Sequence, residues 1–322
     1  MNKNNGTIPV FFSTDDNYIP FLAVAMRSLI DNLSPTQSCN IYILNQGLNR
    51  EKAQALLDMS NERVSIALID VSASIAPIAQ KLNLRDYYTA SIYFRLFIPS
   101  LFPQYSKALY LDADVVVLDD ISELYSISLE DRLLAAVSDD IIASCEDFRK
   151  YAEDGLGIPY RQYFNSGVML MNLDGFRQER IEQKFTHLLN TYHFETVCPD
   201  QDYLNVLCCN RVYYLDKGWN KMSIDEDYEG EPKLIHYNMF YKPWFYSDTC
   251  YGEHFWKYAK RVVFYNEILA IQQSFDRRGR KAHKCAHKAL HKSTRAICAS
   301  KNNFKRVLQT VTMNHDEGWI HS

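Results

Sequence analysis

The chain has 322 residues, 47% hydrophobic and 13% aromatic, which is enough to bury a full-sized core and too much for a disordered chain. Its start, Met1 to Ile8, is polar and its first apolar run, Pro9 to Phe12, is short, so neither a signal peptide nor the roughly 20-residue run of a membrane span is expected. The net charge of -4 conceals two parts, because residues 277–322 carry eleven Lys/Arg against Asp316 and Glu317, a tail of about +9 on a body of about -13. The eight cysteines form no Cys-x-x-Cys and no zinc spacing, which fits a reduced, cytoplasmic protein.

Ile8 to Phe12 reads as a strand and Thr14-Asp15-Asp16-Asn17 as the loop beyond it. Pro20 then opens a helix with Phe21, Leu22, Ala25, Met26, Leu29 and Leu33 at helical spacing. Cys39 to Leu44 is a second strand, Asn49 caps a short helix ending near Met59, and Val64 to Val71 is a third strand followed by a helix through Ala79. Strands alternating with helices predict a mostly parallel sheet, whose ligands sit at the carboxyl ends of the strands. Thr89 to Ile98 reads as a helix, with Tyr88, Ser91 and Arg95 sharing a face.

Ala108 to Leu111 and Val115 to Leu118 have the composition of strands covered on both faces, yet Asp112 and Asp114 stand between them. Ionised groups in such a place must be paired or bind a cation. Residues i and i+2 of an extended chain point to the same side, so the two carboxylates can hold one hard divalent ion with oxygens left for a ligand. The plainer alternative is a surface turn joining two strands.

Leu133 to Ser138 is a further strand, ending on Asp139-Asp140. Tyr163 to Asn172 passes from polar residues into an apolar strand, with Gly167 allowing close backbone approach. Leu173 to Tyr192 reads as one helix on a Phe176, Ile181, Phe185, Leu188 and Leu189 stripe. In Pro199-Asp200-Gln201-Asp202, Asp200 is placed to cap a helix with Gln201 and Asp202 in its first turn. Lys233 to His236 is a short strand bringing His236 to a rim, and Phe255 to Ser274 is a closing helix. From Arg277 a basic helix follows, with Lys284, Lys288 and Lys292 on one line, His283, His287 and His291 on another, and Ala282, Ala286, Leu290 and Ile297 on a third side. That pattern suits anionic lipid head groups; nucleic acid is the lesser reading, since the body carries no aromatic-basic motif. No Gly-x-Gly-x-x-Gly and no Walker loop is present, which argues against a nicotinamide dehydrogenase and a P-loop ATPase.

Four segments in order carry a resemblance: Phe-Ser-Thr-Asp-Asp-Asn-Tyr at 12–18, Tyr-Leu-Asp-Ala-Asp-Val at 110–115, Phe-Asn-Ser-Gly-Val at 164–168, and His236-Tyr237 followed by Lys242-Pro243-Trp244. Together they resemble glycosyltransferase family 8, the family of glycogenin and of the bacterial lipo-oligosaccharide α-galactosyltransferases and lipopolysaccharide glucosyltransferases. The resemblance implies a GT-A fold in which Thr14, Asp15 and Asn17 engage the nucleoside and Tyr18 stacks on uracil. It implies that Asp112, Ala113 and Asp114, with His236, hold Mn²⁺ or Mg²⁺ against a UDP diphosphate that Arg95 and Lys242 also reach. Asn165 would then hydrogen-bond the donor hexose, Asp139 would face it, and Asp200 and Gln201 would lie under its anomeric carbon. Met239 departs from the pattern, because several relatives carry Gly there against the diphosphate.

The expected architecture is α/β, a GT-A catalytic domain over residues 1–276 with a mostly parallel sheet flanked by helices, plus a basic helical tail, 277–322, for a membrane surface or a partner. The expected activity is metal-dependent, retaining transfer of galactose or glucose from a UDP-sugar to a glycan or glycolipid acceptor. Its setting would be cell-surface polysaccharide or lipopolysaccharide-type synthesis in the cytoplasm, peripheral to the inner membrane face and without nucleic acid. A catalytically silent UDP-sugar-binding module is the alternative, and less so a haloacid-dehalogenase-type phosphatase, whose hydrophobic-Asp-x-Asp-x-Val motif is similar but usually stands near the N-terminus.

Overall fold

The computed structural model describes residues 6–82, 89–224 and 228–313, so Tyr88, Asp316 and Glu317 lie outside the described residues. In chain order the strands are β1 (Thr7–Ser13), β2 (Ser38–Asn45), β3 (Val64–Asp70), β4 (Lys107–Leu111), β5 (Val115–Val117), β6 (Leu134–Ala136), β7 (Val168–Asn172), β8 (Val212–Tyr214), β9 (Lys221–Met222) and β10 (Leu234–His236). One sheet has the order β3-β2-β1-β4-β7-β6-β8, and a smaller one the order β5-β10-β9. Within the large sheet only β7 runs antiparallel to its neighbours β4 and β6, so the sheet is mostly parallel, as the alternation of strands and helices predicts.

Alternating residues of the central strands feed two apolar layers. Val10, Phe12, Leu109 and Leu111 pack with Leu22 and Met26 of helix Ile19–Asn32, while Phe11, Tyr110, Met169 and Met171 pack with Phe102 and Phe185 on the other face. Burying each large apolar side chain is worth roughly 1.5–3 kcal/mol, which explains why the strands read as near-continuous apolar runs.

Several helices are shorter than the periodicity predicts. The stripe from Leu173 to Tyr192 belongs to two helices, Leu173–Gln178 and Ile181–Tyr192, broken where Arg180 takes a left-handed φ of 55°. The closing helix likewise divides into Gly252–Ala259 and Tyr265–Ser274, and Ala90–Phe97 winds as a 3₁₀ helix before Pro99 begins a short α-turn. An apolar stripe reports which face is buried, and it continues across a break that keeps the same face inward.

Residues after 276 begin with helix Arg277–Ala299, whose first turn Asp276 caps through the amides of Arg278 and Gly279. Its Leu290, Thr294 and Ile297 are buried against the body, and Phe304 at the head of helix Phe304–Met313 packs against the tilted ring of Phe194 and edge-to-face with Tyr203. Lys284, Lys288 and Lys292 form its exposed back. Among the described residues no helix is long and apolar enough to cross a membrane.

Candidate active site

A cavity of about 510 Å³ opens at the carboxyl ends of β1 and β4, the rim where a parallel sheet places its ligands. Every residue expected at the site lines it except Asn17, which is exposed on the turn before helix Ile19–Asn32.

Strand register builds the carboxylate pair and its imidazole. The chain leaves the large sheet after Leu111 and enters the small one at Val115, so Asp112-Ala113-Asp114 is the crossing between two sheets. Leu111 pairs with Val168, which sets Gly167 beside Asp112, and the Asp112 amide donates to the Gly167 carbonyl at 2.7 Å. Val115 pairs with His236 across the antiparallel β5–β10 ladder. Asp112, Asp114 and His236 therefore each offer a ligand atom within 4.8 Å of the others. A Cβ on residue 167 would lie 2.3 Å from the His236 ring and 2.6 Å from an Asp112 oxygen, which is why glycine stands there.

A relay of amides orients the imidazole. The Asp139 carboxylate accepts from Asn165 Nδ2 at 3.0 Å, and that turns Asn165 Oδ1 toward the Gly167 amide and Asn220 Nδ2. With its Nδ2 so used, Asn220 presents Oδ1 to His236 Nδ1 at 3.0 Å, and the imidazole must donate there. The lone pair of His236 Nε2 then faces Asp114 Oδ1 at 3.2 Å and Asp112 Oδ2 at 3.8 Å. One imidazole lone pair and two carboxylates converging at the cavity wall are a donor set that suits a divalent cation of hard to borderline character.

Fixed cations surround the pair. Arg95, almost wholly buried, donates to Asp112 Oδ1 at 2.7 Å, lies 3.1 Å from Asp200 Oδ2 through Nε, and stacks over Tyr110. Burial opposes its charge, but the two carboxylates more than compensate and hold the guanidinium charged. Lys242 pairs with Asp114 and donates to the Tyr237 carbonyl. For Asp114 burial pushes upward, and the Lys242 ammonium paired with it pulls it well below the usual carboxylate range. Ser166, unassigned from sequence, ties the groups together by accepting from Arg95 and donating to Asp200.

The sugar-side candidates are equally constrained. Asp139 caps helix Asp140–Ser144 with one oxygen, through the amides of Ile141 and Ile142, and with the other accepts from Asn165 and Gln201. Burial pushes its carboxyl up, and these donors pull it part of the way back. Gln201 donates to Asp139 at 3.1 Å while its carbonyl oxygen accepts the Ser166 amide at 2.9 Å. Asp200 does not cap its helix: Cys198 is the N-cap of Pro199–Leu207, and Asp200 turns to Arg95 instead. Asp202 reaches back to the Val197 and Cys198 amides and also accepts from the hydroxyls of Tyr151 and Tyr163. Burial pushes Asp202 up to about 7 against the pull of these donors.

In the first loop, Asp15 accepts from the amides of Asn17 and Tyr18, an Asx-turn that sets Tyr18 edge-on to Phe21 near Lys242. Met239 carries a left-handed φ of 56°, a conformation that glycine adopts without steric cost. Asn220 was not legible as a site residue, since it lies in no motif, and Tyr110 stands in the carboxylate signature without a role that the sequence assigns it. Only the parallel β9–β10 pairing brings Asn220 under His236.

Residues 9–248 match glycosyl transferase family 8. A lipopolysaccharide 1,2-glucosyltransferase of Escherichia coli is 28% identical over 258 residues, covering 74% of this chain and 73% of its own length. Among solved structures, the galactosyltransferase LgtC in complex with donor and acceptor sugar analogues superposes with a TM-score of 0.65 at 24% identity, over 80% of this chain and 96% of its own. The bifunctional glycosyltransferase WbbM reaches a TM-score of 0.74 at 24% identity over 84% of this chain, which spans only 53% of the WbbM chain. These structural likenesses establish a GT-A fold, and the match over residues 9–248, carrying the four signatures around one cavity, establishes that the chain belongs to glycosyl transferase family 8.

Proposed function

We propose that this glycosyltransferase moves a hexose, galactose or glucose, from a UDP-sugar to a glycan or glycolipid acceptor with retention at the anomeric carbon. Its setting would be cell-surface polysaccharide or lipopolysaccharide-type synthesis at the cytoplasmic side of a membrane, in line with the lipopolysaccharide glucosyltransferase it resembles. The observation that carries the reading is the convergence of Asp112, Asp114 and the correctly oriented His236 in the cavity of a family 8 chain. In this reading residues 1–276 are the catalytic domain, and the exposed Lys284, Lys288 and Lys292 of the following helix meet an anionic surface.

Asp112, Asp114 and His236 would hold Mn²⁺ or Mg²⁺, which when bound supplies Lewis-acid neutralisation of the charge developing on the departing diphosphate. Thr14, Asp15 and Tyr18 would take the nucleoside, with Asn17 shaping the turn, and Ala113 keeps the rim between the carboxylates open. Lys242 spends two of its three donors on Asp114 and Tyr237, so its third, and the one on Asp114 once that carboxylate is engaged elsewhere, would serve the phosphates. Arg95 bridges Asp112 and Asp200 and fixes where the two carboxylates point. Asn165 would bond the hexose, and positive charge developing on the sugar ring would face Asp139, Asp200 and Gln201.

Retention by front-side attack, with the departing phosphate taking the acceptor proton, fits these groups best. Gln201 is a neutral amide whose oxygen already accepts the Ser166 amide, and both Asp139 oxygens are engaged. Incubation with UDP-glucose, UDP-galactose and UDP-N-acetylglucosamine, with Mn²⁺ or a chelator, tests the reading. Metal-dependent UDP release supports transfer. UDP binding without release would leave a silent binding module, and phosphate release from generic esters would favour a phosphatase.

A further inference from the structure

The cavity divides by polarity. One side carries the carboxylates, amides and Lys242, whereas the other is walled by Ile141, Phe148, Phe240, Phe245, Ala286 and Leu290. The apolar side begins next to the sugar-side carboxylate, since the Ile141 amide is the group that Asp139 caps at 2.9 Å. Its far wall is helix Arg277–Ala299, which turns Ala282, His283, Ala286 and Leu290 inward at helical spacing. His283 is set among Phe240, Phe245 and Phe275 with ring centroids 5.0–5.3 Å away, and its Nδ1 meets the Tyr246 hydroxyl at 3.1 Å. Phe148, Phe240 and Leu290 belong to the core, whereas Ile141, Phe245 and Ala286 are only half-buried, and apolar surface left facing water inside a polar site favours a ligand that covers it.

We infer that helix Arg277–Ala299 forms the acceptor half of the cavity, and that the acceptor is an amphipathic glycoside whose apolar aglycone lies along this wall while a sugar hydroxyl reaches toward Asp139 and Gln201. The inference rests on the transferase reading above and narrows its acceptor class. Aromatic rings and aliphatic side chains take the aglycone, and His283 adds one hydrogen-bonding group for the sugar. A polar free oligosaccharide would leave the half-buried Ile141, Phe245 and Ala286 without a complementary surface.

The test is calorimetry on full-length protein saturated with Mn²⁺ and UDP. The probes are octyl β-D-glucoside and octyl β-D-galactoside below their micelle concentrations, the matching methyl glycosides, and octanol. An octyl glycoside should bind on the order of tenfold or more tightly than its methyl counterpart, the gain expected from burying about two methylene groups. Ala286→Trp and Ala282→Trp, which fill the wall without touching the polar side, should remove that gain while UDP affinity stays within about twofold of wild type. Equal binding of octyl and methyl glycosides, a gain that survives both substitutions, or octanol binding as tightly as the glycosides would overturn the inference. Failure of wild-type protein to bind UDP with Mn²⁺ would instead fail the transferase reading.

Discussion

At the scale of single residues, the site depends on an amide with no motif around it. Asn220 decides which imidazole nitrogen of His236 faces the carboxylates, because its oxygen takes the Nδ1 proton at 3.0 Å. Losing such a supporting partner typically costs about 10–100-fold in metal affinity, so Asn220→Ala should weaken Mn²⁺ binding by that order, measured by calorimetry without donor. Unchanged affinity would show that Asn220 does not set the tautomer. Met239 is a second case, since its φ of 56° costs an ordinary side chain about 1–2 kcal/mol and a β-branched one more. Denaturation should find Met239→Gly at least as stable as wild type and Met239→Val less stable by roughly 1–2 kcal/mol. A neutral Met239→Val would mean that the loop relaxes freely.

At the scale of elements, helix Pro199–Leu207 is tied down by Asp202, which gathers two amides and two tyrosine hydroxyls in a fully buried place. Its carboxyl titrates near an ordinary carboxylate value of about 4 when unfolded and about 7 when folded, so between these values the folded chain holds the extra proton. Stability from this group is therefore present at low pH and lost as pH rises from about 4 to 7, at no more than about 1.4 kcal/mol per pH unit. Urea denaturation across that range should show wild type losing this component and Asp202→Asn lacking it. A difference between the two that does not vary with pH would contradict the shift. Legibility also divides at this scale. Asp112 and Asp114 could be read because charges between apolar runs demand a partner, and His236 because a strand and a resemblance placed it at the rim. The break at Arg180 and the true cap at Cys198 could not be read: an apolar stripe is blind to a kink, and Asp200 had an ion-pair partner, Arg95, more than a hundred residues away in sequence.

At the scale of the whole molecule, the alternation of strands and helices made the sheet legible, whereas the docking of the last helices was not. Charge dominates the composition of 277–299, while the contacts that seat it come from a few residues, Leu290, Thr294 and Ile297, together with His291 and Arg295 on Asp147, and are reinforced by Phe304. Removing residues 277–322 would strip a wall from the cavity and uncover core, so the membrane reading calls for charge reversal instead. Lys284→Glu, Lys288→Glu and Lys292→Glu together should abolish sedimentation with anionic liposomes, at on the order of 1 kcal/mol per cation, and leave neutral liposomes unaffected. Equal pelleting of both forms would remove the membrane role. The account as a whole rests on two carboxylates and an imidazole acting as one cation site for a sugar diphosphate. Its most direct measurement is UDP affinity by calorimetry with and without Mn²⁺, in wild type and Asp114→Ala. Mn²⁺ should tighten UDP binding to wild type by at least about tenfold and do nothing for Asp114→Ala, whereas equal affinity with and without the ion in wild type would contradict the account.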